Sequence, residues 1–181
     1  GRVFTLPAAS LPGGRGMGEP LRLMIDLAND DAVVALTPHR PGAKRLLASG
    51  AGDGFIAAEA DLLAQTRAGR QALNLAPGVA ARLFAPVAGD AVAVVGDNRK
   101  LLVFALEELP EMTRGKGVRL QKYKDGGLSD ARVFTLADGL TWKDPAGRTR
   151  TVGGDELRDY VAKRATAGRM APRGFPRDNR F

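Results

Sequence analysis

Cysteine is absent from these 181 residues, and histidine and tryptophan occur once each. Without thiols there are no disulfides and no thiolate zinc site, a composition at home in a reducing cytoplasm. The single histidine, His39, lies between Pro38 and Arg40. It cannot anchor a metal alone, and no serine is spaced from it as in a nucleophilic triad. Long apolar runs are missing too: charges and prolines interrupt every stretch well short of the roughly 18 residues of a membrane-spanning helix. The opening residues, GRVFTLPAAS, lack the basic-then-apolar grading of a secretion signal and a start methionine. The chain therefore reads as a piece of a longer protein. Nucleotide motifs fail as well. Gly14-Arg15-Gly16-Met17-Gly18 has no strand–turn–helix unit around it, and Lys116 is followed by Gly117 rather than Ser or Thr. The adjacent acids Asp30-Asp31 and Glu107-Glu108 read as solvated strand ends rather than a cation site.

Positive charge is in excess, and it is concentrated. The chain carries 27 Lys and Arg against 20 Asp and Glu, a net +7. Residues 161–181 hold six basic side chains against the single Asp178, and residues 111–124 hold five against the single Glu111. The remainder is slightly acidic. Charge gathered in this way attracts a polyanion better than the same charge spread evenly.

The strongest organising signal is internal repetition. Val3-Phe4-Thr5-Leu6, Leu11-Pro12, Arg15-Gly16-Met17-Gly18 and Leu21 return as Val103-Phe104-Ala105-Leu106, Leu109-Pro110, Arg114-Gly115-Lys116-Gly117 and Leu120. An intermediate copy runs from Gly54-Phe55-Ile56 through Arg67-Ala68-Gly69-Arg70, and a fainter one follows Thr151-Val152. The marker residues Leu11, Leu62, Leu109 and Leu157 are 51, 47 and 48 residues apart. Between Leu62 and Leu109, strand-like runs at 71–75, 81–87, 91–96 and 101–106 are separated by Pro77-Gly78, Gly89-Asp90 and Gly96-Asp97-Asn98. Four short strands in about 50 residues is the period of a propeller blade. The flanking intervals predict strands at 21–26, 32–36, 44–49 and 54–59, and at 118–123, 132–136, 140–143 and 148–152. The run AVAVV is apolar throughout, as for an inner strand covered on both faces. Residues 59–70 are expected to form a loop with one helical turn. Residues 155–165 read as a short helix with Asp155 as N-cap, and the chain from Ala167 reads as an unpacked basic tail.

Each Leu-rich linker is followed by a glycine-flanked basic turn, and this pattern resembles the repeat in the C-terminal domains of the bacterial gyrase and topoisomerase IV A subunits. The segments Leu11–Leu21, Ser49–Phe55 and Leu109–Leu120 resemble the topoisomerase IV version in particular. The resemblance implies an all-β fold, a propeller-like β-pinwheel whose blades exchange outer strands. About three to four four-stranded blades are expected here, plus the short C-terminal helix and basic tail. The expected division is a pinwheel over 1–166 that opens inside a blade, with at least one earlier blade outside it and repeats near 1–60, 61–108 and 109–155, and a tail over 167–181. The gyrase version carries a longer Gln- and Arg-rich box, of which Arg114–Gly117 is a shortened equivalent, so chiral wrapping of DNA is not expected.

The resemblance also implies duplex DNA as partner, bound on a basic rim by Arg15, Arg67, Arg70, Arg114, Lys116, Arg119, Lys122 and Lys124. A Gly-x-Gly turn at a blade corner needs no function, since glycine supplies positive φ there. Recurrence beside a cation favours phosphate contact, with backbone N–H groups and cations gripping phosphate and no base readout. No catalytic residue and no cofactor are expected in this segment; ATP and magnesium would serve the holoenzyme, reached with its B subunit through the rest of the chain. The expected setting is cytoplasmic and nucleoid-associated, with no membrane. A propeller that docks a chromosome-organising protein is the alternative reading.

Overall fold

The computed structural model describes residues 1–181, and its strands group into four successive units. The first holds β1 (Arg2–Val3), and the second holds β2 (Lys44–Ser49) and β3 (Asp53–Ala58). The third comprises β4 (Arg70–Gln71), β5 (Ala81–Pro86), β6 (Ala91–Gly96) and β7 (Lys100–Ala105). The fourth comprises β8 (Val118–Arg119), β9 (Leu128–Phe134), β10 (Leu140–Lys143) and β11 (Thr149–Val152), after which β12 (Arg169–Met170) follows. The helices are short: α1 (Glu59–Leu62) is the one expected turn, and α2 (Gly154–Arg158) follows β11.

Tight hairpins form the centre of each blade. β2 pairs with β3, β6 with β7 and β10 with β11, all antiparallel. The last turn is organised by Asp144, whose Oδ1 accepts the N–H groups of Ala146 and Arg148 at 3.0 and 2.9 Å. Strands from later units then complete each sheet. β5 pairs with β2 and β9 with β6, a strand lent one unit back. The short strands travel further: β4 pairs with β1, β8 with β3 and β12 with β7, two units back. Two complete four-stranded sheets result, ordered β5-β2-β3-β8 and β12-β7-β6-β9, flanked by the two-stranded pairs β1-β4 and β10-β11. This strand exchange is the pinwheel arrangement.

The core lies between blades. Val92 and Val94 of β6 join Leu46, Ile56, Leu102 and Phe104 on one side. Their neighbours Ala91, Ala93 and Val95 join Leu101, Val103, Leu140 and Trp142 on the other. The continuous apolar run of β6 follows from this two-sided burial. Each Val or Leu fully buried here contributes about 1.5–3 kcal/mol.

Several expected elements differ. No strand forms at 21–26 or 32–36; Leu21–Leu23 makes a single 3-10 turn, and Val33 and Leu36 are 54% and 88% exposed. Residues 32–36 lie beside no strand edge that they pair with. β-propensity without a ladder partner makes no strand. The runs 71–75 and 118–123 shrink to β4 and β8, because the chain leaves the sheet edge after two residues to bond elsewhere: Asn74 N–H to Gly115 O, Lys122 N–H to Thr166 O. The helix read over 155–165 stops at Arg158, and Asp155 lies in its first turn while Gly153 is the N-cap. Beyond it, Tyr160 O and Ala162 N bond Val103, so contact with β7 replaces further helix.

The tail from Ala167 does not hang free. β12 extends the second sheet, and Phe175, 2% exposed, packs edge-on against Trp142 and Phe181 with centroids 5.3 and 5.5 Å away. Arg99 donates to Phe175 O at 2.9 Å and Pro176 O at 2.8 Å, and Phe181 N–H donates to Asp130 Oδ2 at 2.9 Å. High glycine, proline and arginine content suggested a solvated arm, but its two phenylalanines supply the apolar anchors that fix it.

Candidate nucleic-acid interface

The short strand of each unit begins at a glycine with positive φ: Gly69 at 71°, Gly117 at 81° and Gly168 at 76°. An added Cβ would lie 2.7 Å from Val3 O, 2.2 Å from Gly54 O and 2.5 Å from Leu101 O, respectively. Glycine is required because the lent strand presses its backbone onto the strand two units back. This sets the true register of the basic turns. Gly117, not Gly115, is the counterpart of Gly69, so Arg114 corresponds to Thr66 and Lys116 to Ala68. The glycine recurs at one structural position in all three; an arginine follows it directly in two, Arg70 and Arg169, with Val118 in the third, and the cations ahead of it do not align.

The eight expected contact residues have different surroundings. Arg15 is exposed in the loop ahead of Gly18. Arg67 donates to Leu23 O at 2.9 Å and lies 3.6 Å from Asp26 Oδ1, bracing the N-terminal segment. Arg70 is exposed on β4. Arg114 faces Arg2 across an open recess lined by Gln71, Asn74 and Leu75.

Lys116 and Arg119 converge on one buried carboxylate. Their Nζ and Nε lie 3.5 and 3.3 Å from the two oxygens of Asp53, whose side chain is 6% exposed at the mouth of the β2–β3 hairpin. Both cations remain largely exposed, so together they leave a net positive site above Asp53. Lys122 and Lys124 are exposed on either side of Tyr123, whose ring fills the space beside Gly52 and Gly96, the turns of two successive hairpins. Burial pushes the Tyr123 phenol well above its ordinary pKa, with Arg119 opposing and Asp97 and Asp53 adding, and its hydroxyl has no hydrogen-bond partner. Tyr123 thus wedges the Lys122–Lys124 loop against two blades and joins it to the Lys116–Arg119 pair.

Not every cation near a turn is free. Arg164 donates its N–H to Glu108 Oε2 at 2.8 Å and its guanidinium to Glu108 O and Arg119 O, so it serves as a clamp between linkers. His39 is equally committed: its Nδ1 lies 3.0 Å from Glu59 Oε2, while Glu59 also accepts Arg40 N–H at 2.8 Å and Arg45 Nε at 2.6 Å. Burial opposes the Glu59 charge, but the hydrogen bonds from Arg40, Arg45 and His39, with the Arg45 charge, hold its pKa below the ordinary 4.5. No three His, Asp or Glu side chains gather around a point where a metal ion would sit. Exposed guanidinium and ammonium groups on a rigid edge suit phosphate oxygens.

Comparison with known proteins places this arrangement. The family model described as DNA gyrase C-terminal domain, beta-propeller, matches residues 1–40 and 90–130. The A subunit of DNA topoisomerase 4 from Caulobacter vibrioides is 47% identical over 181 residues, covering 100% of this chain and 24% of that protein. The protein of the same name from Rickettsia bellii is 39% identical over the same share of each. The chain thus spans about a quarter of the length of these curated relatives. Among solved structures, the E. coli ParC C-terminal domain superposes with a TM-score of 0.81 at 26% identity, covering 98% of this chain and 75% of that one.

Proposed function

This chain belongs to the family formed by the C-terminal domains of the gyrase and topoisomerase IV A subunits, and we propose that it binds duplex DNA through the phosphate backbone and presents it to the strand-passing core of a type II topoisomerase. The carrying observation is the Lys116–Arg119 pair on Asp53, continued by Lys122 and Lys124 on the loop wedged by Tyr123. Arg114 extends this arc beside Arg2, and Arg15, Arg67 and Arg70 supply weaker contacts on neighbouring turns. Binding of this kind is governed by counterion release and duplex shape rather than by sequence. The shortened turn at Arg114–Gly117 supports holding and delivering a segment rather than wrapping it. The domain itself carries no chemistry in this proposal. ATP, magnesium and the B subunit act through the remainder of the enzyme, which would use the bound segment to select crossed or supercoiled DNA for decatenation and relaxation at the nucleoid.

The test is a fluorescence-anisotropy titration with a fluorescent duplex over 50–200 mM salt, repeated with R114A/K116A/R119A. Contact with about 6 phosphates predicts roughly a thousandfold loss of affinity across that range. The triple variant should bind more weakly with a shallower salt slope. Binding by the folded parent that is absent, or indifferent to salt, overturns the proposal.

A further inference from the structure

The C-terminal segment repeats a small pattern the blade period does not contain: Pro172-Arg173-Gly174-Phe175, then Pro176-Arg177-Asp178-Asn179. Each is a closed turn, with Phe175 N–H bonded to Pro172 O and Asn179 N–H to Pro176 O. In each, the residue closing the turn points inward: Phe175 beside Trp142, and Asn179 onto Asp97 O and the Arg99 guanidinium. The arginine after each proline faces solvent, as does Arg180. None of Arg173, Arg177 and Arg180 has a carboxylate within ion-pair distance, unlike Lys116, Arg119 and Arg148.

Position matters as much as charge. The hairpin turn at Asp97 is held from both sides. Asn179 Nδ2 donates to its carbonyl at 3.3 Å, and Gly127 N–H donates to its carboxylate at 2.9 Å. Gly127 ends the loop that carries Lys122 and Lys124, and Asn179 sits between Arg177 and Arg180. The turn therefore joins the third basic turn to the C-terminal strap.

We propose that the strap formed by residues 172–181 is a second duplex-DNA contact surface, in which Arg173, Arg177 and Arg180 hold backbone phosphates and extend the arc that begins at Lys116. This rests on the DNA-binding reading above. A packed strap suits the task because its backbone is ordered before DNA arrives, so binding does not have to order it. The partner is a polyphosphate backbone, since two exposed guanidiniums on turn corners, Arg173 and Arg177, and a third just past the second turn, Arg180, each suit a phosphate.

Three forms of the 181-residue chain decide it by anisotropy on a duplex over the same salt series: the parent, R173Q/R177Q/R180Q, and F175A. The triple Gln variant keeps the anchors and should melt as the parent does. Loss of three phosphate contacts flattens the log–log salt slope by about 2.7, so the parent's fall in affinity from 50 to 200 mM exceeds the variant's by about 40-fold. F175A keeps the charges but frees the strap, and should bind about tenfold more weakly at an unchanged slope. If the triple Gln variant binds with the parent's affinity and slope while R114A/K116A/R119A is impaired, the strap is not a contact surface and the basic turns alone bind DNA. If F175A, with its strap shown mobile by proteolysis, binds like the parent, the pre-ordered strap is refuted. Absence of salt-sensitive binding by the parent removes both proposals together.

Discussion

Replacing Gly117 by alanine tests the joint on which both the strand exchange and the basic arc depend. The residue sits at φ 81°, and a methyl group there would lie 2.2 Å from Gly54 O and 2.3 Å from Gly54 C, both backbone atoms of β3. The left-handed backbone alone costs about 1–2 kcal/mol for a side chain other than glycine. The clash cannot be relieved by a rotamer change, so β8 must lift from β3 and the Gly54–Val118 pairing is weakened, adding about 1–2 kcal/mol for disturbed backbone hydrogen bonds. The sum, about 3 kcal/mol, corresponds to a drop in melting temperature of about 6–12 °C for a chain of this size. Gly18 is the matched control, since it has φ 75° but nothing within 4 Å of an added methyl, and G18A should cost about 1–2 kcal/mol at most. Thermal melting followed by circular dichroism measures both. G117A should also bind duplex DNA more weakly, because Lys116 and Arg119 move with β8 away from Asp53, whereas G18A should not. Equal, small shifts for the two variants would refute the account of Gly117 as a strand-pressing position.

Two further outcomes concern buried polar groups. The Glu59 pKa is depressed in the folded chain, so its stabilisation is complete above the ordinary 4.5 and is lost as pH falls through the lower folded value. E59Q should destabilise by about 3 kcal/mol near neutral pH by stranding the buried Arg45 charge; denaturant melts between pH 7 and 3 should show a smaller acid-side loss than the parent, and an unchanged acid profile would count against the assignment. The Tyr123 hydroxyl is buried without a partner, so Y123F should be neutral or stabilise by up to about 1 kcal/mol. A loss of more than about 1 kcal/mol in chemical denaturation would mean that the hydroxyl has a partner after all.

The hairpins were the most legible part of the sequence because their information is local. AVAVV and LLVFAL alternate between two cores, and turn residues bracket them, so pattern and fold agree. The failures share a cause in contacts that are distant in sequence. Ala32–Leu36 has the composition of a strand but no partner strand within these residues. DELRDYVAKRA has helix formers throughout, yet Val103, far upstream, takes the backbone of Tyr160 and Ala162 instead. The basic turns were recognised as a recurring feature but set out of register by their cations; the clearance of a Cβ above Val3, Gly54 and Leu101 identifies the glycine as the repeated element. Asp53, which gathers Lys116 and Arg119, lies in the Ser49–Phe55 segment that carries the family resemblance, but nothing in the sequence pairs it with cations more than 60 residues away. In the strap, glycine, proline and arginine dominate the composition, yet its two phenylalanines decide its packing.

The two-units-back lending of β4, β8 and β12 also bears on how such a domain can change over evolutionary time. Wherever a strand is lent it goes back by a fixed offset, one unit for β5 and β9 and two for β4, β8 and β12, so duplication of a whole unit between lending neighbours preserves those junctions, and a domain can grow or shrink by complete units. A deletion that begins midway between two marker leucines has no such freedom, since it unseats strands in sheets on both sides. Gene-level variation is thereby channelled into whole-repeat steps, while exposed cations that brace no junction, such as Arg15 and Arg70, are free to drift one at a time.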